Sequence, residues 1–175
     1  NIHFVIFDYP KYGLSTGTLN QKGVLQSGQN AIDLARKLFP RSKVILWGRS
    51  LGAAPATLLT EKNQNIVNGL ILTSPWDSFW KLAKAKSGLP DSAAQNAAKG
   101  NEYESEVAAR NITRPVLIHH GDKDETIPYE LGVNLYNSFA STDKNLITVV
   151  GGGHNNLLTD KEWGEIEEFI FSASR

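Results

Sequence analysis

The pentapeptide Gly48-Arg49-Ser50-Leu51-Gly52 constrains this chain more than any other stretch. An apolar run, Val44-Ile45-Leu46-Trp47, precedes it, and a helix-forming run from Ala53 to Lys62 follows. The segment reads as a strand, a very tight turn and a helix. A G-x-S-x-G at such a corner is a nucleophile elbow: the turn is strained, and the Ser hydroxyl stands clear at the carboxyl end of the sheet. Gly48 and Gly52 are expected because a Cβ at either place would strike the neighbouring strand or helix. Ser50 also falls at a helix amino terminus, where free N–H groups and the helix dipole favour negative charge. Three fixed positions of common residues match by accident in a chain of this length roughly one time in twenty. The motif therefore has to be weighed with its surroundings.

Those surroundings alternate between strand and helix. Ile2 to Phe7 is apolar, β-branched and aromatic, and predicts a buried parallel strand ending at Asp8. Tyr9 to Gly17 is turn-rich loop. Asn20 caps a helix over roughly 21–38, whose apolar face carries Val24, Gly28, Ala31 or Ile32, Ala35 and Leu38; Pro40 stops it. Lys43 to Trp47 predicts the strand into the elbow. In the helix after Ser50, Pro55 is tolerable only near the first turn. Val67 to Thr73 predicts a third strand, and Ser74-Pro75-Trp76-Asp77 leaves it. Residues 76–111 carry the weakest pattern: an aromatic-rich short helix with Trp76, Phe79, Trp80 and Leu82, a break at Ser87 to Pro90, then an Ala-rich polar stretch. This stretch predicts a small excursion over the sheet edge that forms a minimal cap. Pro115 to His119 predicts a fourth strand, and Pro128 opens a helix with Leu131, Leu135 and Phe139. Leu146 to Val150 predicts a fifth strand, Gly151-Gly152-Gly153-His154 a flexible turn, and Trp163 to Ile170 the apolar stripe of a last helix. The alternation demands an α/β fold: a mainly parallel sheet with helices on both faces, in one domain spanning 1–175. Ligands of such sheets sit beyond the carboxyl ends of the strands, where Ser50, Asp77, Asp124 and His154 all fall.

Composition narrows the partners. With 41% apolar and 21% charged residues the chain reads as a soluble globular protein, and its formal net charge of zero implies no broad attraction to nucleic acid. The absence of Cys excludes disulfides, thiolate chemistry and Cys zinc sites. No run approaches the ~20 apolar residues of a membrane span, and no signal-peptide pattern opens the chain. A cytoplasmic location is expected. The chain has no Met and opens on Asn1 directly at a strand-like run, which predicts a longer parent chain.

A serine hydroxyl is a poor nucleophile by itself. It needs a base within hydrogen-bond reach, and the base needs a third group to fix its tautomer. His suits the base, because imidazole titrates near neutrality. Of the four His residues, His3 starts a strand at an exposed end, and His119 and His120 end the fourth strand, one facing a layer and one the crevice rim. His154, on the triple-Gly turn, can swing to the crevice and is the candidate base. The orienting acid should lie between Ser and His in the chain. Asp124 is the candidate, with Asp122 and Glu125 as neighbouring alternatives and Asp77 as an outsider whose plainer role is a helix N-cap. The Leu51 backbone N–H supplies one oxyanion donor; no loop for a second is recognisable.

Four stretches together carry a family resemblance: Phe7 to Gly17, Gly48 to Gly52, His120-Gly121-Asp122-Lys123-Asp124 and Gly153-His154-Asn155. They resemble the α/β-hydrolase superfamily, in particular the branch of small serine hydrolases that includes protein depalmitoylases and related esterase or peptidase-like enzymes. Lys11 departs from that branch, which has Gly there. The resemblance implies Ser50 as nucleophile, Asp124 as acid and His154 as base, with no metal or organic cofactor. It implies a small-molecule or acyl substrate, cleaved as an ester or thioester. Tyr12, Trp76, Phe79 and Trp80 are candidates to line an acyl pocket, although packing is the commoner duty of such aromatics. Peptide cleavage on the same fold and a catalytically inactive binding role are the alternatives. The first three strands of the family and its oxyanion loop have no counterpart here, so the chain is expected to be a carboxyl-terminal portion. Membrane contact would come only through the segment upstream. The family places another strand between the one at residues 2–7 and the elbow strand, so a gap is expected there unless a strand shifts or another chain fills it.

Overall fold

A computed structural model describes residues 2–174; Asn1 and Arg175 lie outside the described residues. Asn20 opens α1 (Gln21–Leu38), its side-chain oxygen accepting the Gly23 N–H at 2.8 Å and so satisfying a donor that the helix itself leaves free. β1 (Val44–Arg49) runs into a short 3-10 turn over Ser50–Gly52 and then α2 (Ala53–Lys62). β2 (Val67–Thr73) follows, then three helices in the weakly patterned stretch: α3 (Phe79–Ser87), α4 (Asp91–Ala98) and α5 (Ser105–Ala109). β3 (Val116–Gly121), α6 (Tyr129–Ser138), β4 (Lys144–Val149) and α7 (Asp160–Ala173) complete the order.

The four strands pair in the order β1-β2-β3-β4, every pair parallel. Side chains alternate across a strand, and the core divides accordingly. Leu70, Leu72, Val116 and Ile118 face α2, α5 and α6, packing with Ala53, Ala56, Ala109, Leu135 and Phe139. Ile71 and Leu117 face α7, packing on Ile166 with Trp47, Ile147 and Phe169 around them. Helices thus cover both faces of a parallel sheet, and all strands end at one rim. Thr159 and Glu162 form a capping box that starts α7. No helix among the described residues is long and apolar enough to cross a membrane.

Ile2 to Phe7, read from sequence as a strand, forms none. A strand exists only where a neighbour pairs with it, and β1 pairs with β2 alone among the described residues. Between residues 2–7 and β1 lies a cavity of about 670 Å³, lined by that segment, by α1 and by Val44 to Trp47. His3 stacks on Phe39, ring centroids 3.9 Å apart, while Phe4 and Ile6 are 71% and 90% exposed.

Candidate active site

The elbow is strained as its sequence demands. Ser50 has φ +52, a left-handed conformation that costs a side chain with a Cβ about 1 kcal/mol or more. Gly48 permits the corner: a Cβ there would lie 2.3 Å from the Gly52 carbonyl oxygen and 2.7 Å from Ala53 Cα. Gly52 differs from expectation. Its φ is an ordinary −69, and an added Cβ would meet only the Tyr9 hydroxyl at 3.2 Å. Trp76 fixes the turn from below, its indole Nε1–H donating to the Ser50 carbonyl at 3.1 Å.

Three polar side chains from three strand ends meet at the rim. His154 Nε2 lies 3.0 Å from Ser50 Oγ, and His154 Nδ1 lies 2.8 Å from Asp124 Oδ2 and 3.1 Å from Oδ1. An ionised carboxylate only accepts. The Nδ1 therefore carries the proton, and the Nε2 lone pair is left to accept from the Ser50 hydroxyl. Asp124 and His154 are nearly buried, at 9% and 8% exposure, while Ser50 is half-buried. Burial alone would raise the Asp124 carboxyl. The N–H groups of Ile127 and Thr126, the His154 ring and the neighbouring Ser74 hydroxyl outweigh it and hold the carboxyl below its usual range. The two backbone N–H groups donate to Oδ1 at 2.8 and 2.9 Å. Ser74 is fully buried with φ +49, and its hydroxyl makes no hydrogen bond of good geometry.

The alternative acids serve elsewhere. Asp122 accepts the Gly151 N–H at 2.7 Å, and Glu125 accepts the His154 N–H at 3.4 Å. Asp77 is fully buried, accepts the Ser78 N–H, and pairs with Lys81 at 3.0 Å; Lys81 in turn bridges to Glu106 at 2.5 Å. It does not cap α3, whose N-cap position is Ser78. His119 and His120 are both fully buried, so neither reaches the crevice rim. The His119 Nε2–H faces Glu165 of α7 at 3.3 Å, and the His120 Nε2–H donates to the Ile127 carbonyl at 3.0 Å.

Leu51, whose N–H was expected at the oxyanion, is 40% exposed beside Ser50. Of the aromatics expected to line a pocket, Trp76 and Phe79 pack together, ring centroids 6.0 Å apart. Trp76 is buried with Ala54, Tyr103, Ile127 and Leu131; Phe79 packs on that cluster; Trp80 is half-buried on α3; and Tyr12 is exposed in the 9–17 loop. No group of three or more His, Asp or Glu suited to a metal occurs among the described residues. Sequence reasoning missed Arg49. Its Nη2 donates to the His154 carbonyl at 2.9 Å and to Asn155 Oδ1 at 2.8 Å. The only signal was its place inside the elbow motif, where any residue is allowed.

Comparison with known proteins agrees with this architecture. A family model described as the alpha/beta hydrolase fold matches residues 2–88. The chain is 28% identical over 159 residues to the alpha/beta hydrolase domain-containing protein aho-3 of Caenorhabditis elegans, covering 90% of this chain and 45% of aho-3. It is 28% identical over 151 residues to the lysophosphatidylserine lipase ABHD12 of Rattus norvegicus, covering 77% of this chain and 37% of that protein. Among solved structures, Est1E from Butyrivibrio proteoclasticus with ferulic acid bound superposes with a TM-score of 0.74 at 22% identity, covering 95% of this chain and 75% of Est1E. The chain spans 62% or less of the length of the curated protein sequences it matches, aho-3 and ABHD12 among them. The doubly covered parallel sheet, the strained serine corner and these likenesses lead to one assignment: this chain belongs to the α/β-hydrolase superfamily.

Proposed function

We propose that this protein is a serine hydrolase that cleaves a carboxylic ester or thioester through an acyl-enzyme. The observation that carries the reading is the continuous line from Ser50 Oγ through the His154 ring to Asp124, with contacts of 3.0 and 2.8 Å. In the proposed cycle His154 Nε2 takes the Ser50 proton as Oγ attacks the acyl carbon. Asp124 steadies the imidazolium, and the Leu51 N–H faces the oxyanion. The tetrahedral species expels the alcohol or thiol as His154 returns the proton to it. Water, activated by the same imidazole, then attacks the acyl-Ser50 ester and frees the acid. No cofactor enters these steps. The lipase among the relatives, ABHD12 of Rattus norvegicus, supports ester chemistry over peptide cleavage.

The test is covalent labelling. A fluorophosphonate probe should modify Ser50 in the wild-type protein and fail on Ser50→Ala. Turnover of p-nitrophenyl esters should fall by roughly 10³-fold or more in Ser50→Ala and His154→Ala. A folded wild-type protein that neither labels nor turns over ester would reject the mechanism in favour of a non-catalytic binding role.

A further inference from the structure

His154 must aim its ring to within a few tenths of an ångström, yet it follows three consecutive glycines, the residues that lose most freedom on ordering. Its ring is fixed at both nitrogens by Ser50 and Asp124. Its backbone needs a separate anchor, and the neighbouring acids supply only part of one. Asp122 holds Gly151, three residues before His154, and the Glu125 contact to the His154 N–H is long at 3.4 Å. Gly152 and Gly153 are tied to Lys123 and within the turn, but the short contact to the His154 backbone itself comes from Arg49, 105 residues away in the chain, at 2.9 Å. One guanidinium nitrogen holds the His154 carbonyl and the Asn155 side chain together.

We propose that Arg49 is a positioning residue for His154, tying the backbone of the base to the strand that carries the nucleophile. This rests on the reading of Ser50 and His154 as nucleophile and base. Arg49 is the last residue of β1, paired in register with Thr73 of β2, so its own backbone is held by the sheet. It directly precedes Ser50. A displacement of the nucleophile's strand end therefore carries the base with it, and their mutual distance is kept. Bonds from a charged donor are about twice as strong as neutral ones. A guanidinium also keeps its charge across the whole range in which an imidazole titrates, so the clamp does not release when the base takes up a proton. Lys would hold the pair less well, because its ammonium lies one bond nearer the backbone than Nη2 and its three donors rotate freely instead of lying in a fixed plane.

The experiment compares wild type with Arg49→Met, which keeps the aliphatic stem and removes the donors, and with Arg49→Lys. Two readouts are taken. Hydrogen–deuterium exchange is followed at amides 151–157, with β2 and β3 as internal reference, and kcat and KM are measured on p-nitrophenyl acetate. Arg49→Met should exchange at least about 10-fold faster in that loop alone, since only local opening changes. Its kcat should fall by about 10- to 100-fold with KM within about twofold, as expected of a misaimed base. Arg49→Lys should recover only part of kcat. Millimolar guanidinium ion added to Arg49→Ala should restore kcat in part and leave wild type unchanged. Unchanged exchange in Arg49→Met overturns the clamp, whether or not the protein turns over ester. A rise in KM alone, with exchange and kcat unaltered, overturns it in favour of an anion-binding Arg49. Faster exchange with an unaltered kcat in an active protein overturns the positioning role. A wild-type protein that fails to label with fluorophosphonate counts against the serine hydrolase reading, and exchange still decides the clamp.

Discussion

Gly48 and Gly52 flank the same serine, yet the structure asks different things of them. A Cβ at Gly48 would press on backbone atoms at 2.3 and 2.7 Å, which cannot move without opening the turn. Gly48→Ala should cost about 3 kcal/mol, the upper range for overpacking, with ester turnover lost in the remaining folded protein. Gly52 sits at ordinary helical angles, and its one close neighbour is the hydroxyl end of the Tyr9 side chain at 3.2 Å. Gly52→Ala should change stability by less than about 1 kcal/mol. Urea denaturation of the two variants checks this contrast, and equal losses would refute it. The carboxylate offers a second residue-level test. Asp124→Asn preserves shape but reverses the favoured tautomer of His154, the proposed base, so turnover should drop by roughly 10³- to 10⁴-fold. Because the folded-state carboxyl is depressed, its contribution to stability is present above about pH 4 and is lost as pH falls through the folded value. The stability gap between wild type and Asp124→Asn, measured by urea titration, should therefore close below about pH 4.

At the scale of elements, local signals and pairing partners part company. Helix α1 occupies the expected residues because its limits are written locally, in the Asn20 cap and the stop before Pro40. The limits of α2 and β2 also agree with the pattern, since each is a buried apolar run bounded by turn residues. Ile2 to Phe7 has an equally strong strand pattern and makes no strand, because pairing depends on what lies beside it in space. The triple-Gly turn, read as flexible, is tied at nearly every residue. Gly152 donates to Val149 and accepts from Lys123, and the Gly153 N–H donates to Asn156. The Lys123 tie joins distant stretches, which no window of sequence displays, while the other two are bonds within the turn itself. The weak pattern over 76–111 resolves into α3 to α5, and the Lys86 ammonium of α3 reaches the Glu125 carbonyl beside the acid at 2.9 Å. The flank of β1 that no strand pairs among the described residues, with Phe4 and Ile6 exposed near it, offers this chain a surface for self-association. A Phe4→Lys, Ile6→Lys double variant should lower self-association in sedimentation velocity while shifting stability by about 0.5 kcal/mol or less. Association that is unchanged would locate the adhesive surface elsewhere.

For the whole molecule, acid should act in two separate ranges. His119 and His120 stand fully buried on opposite faces of β3, one toward α7 and the other toward α6. Burial pushes both imidazoles below their ordinary value, and this outweighs the pull of Glu165 on one and of the Ile127 carbonyl and Asp124 on the other. Between pH 7.5 and about 5 the unfolded chain therefore binds protons that the folded chain refuses. Stability must decline as pH drops through about 6.5, well above the range in which Asp124 matters. Urea midpoints should fall over this interval with an unchanged m-value, since the folded surface stays the same. His119→Gln removes one of the two titrating groups without adding charge. Whatever it costs at pH 7.5, its decline between pH 7.5 and 5 should be shallower than that of wild type by up to one proton. A wild-type midpoint that holds level to pH 5 would mean that the folded sheet accepts those protons, and the two histidines would then be charged within it.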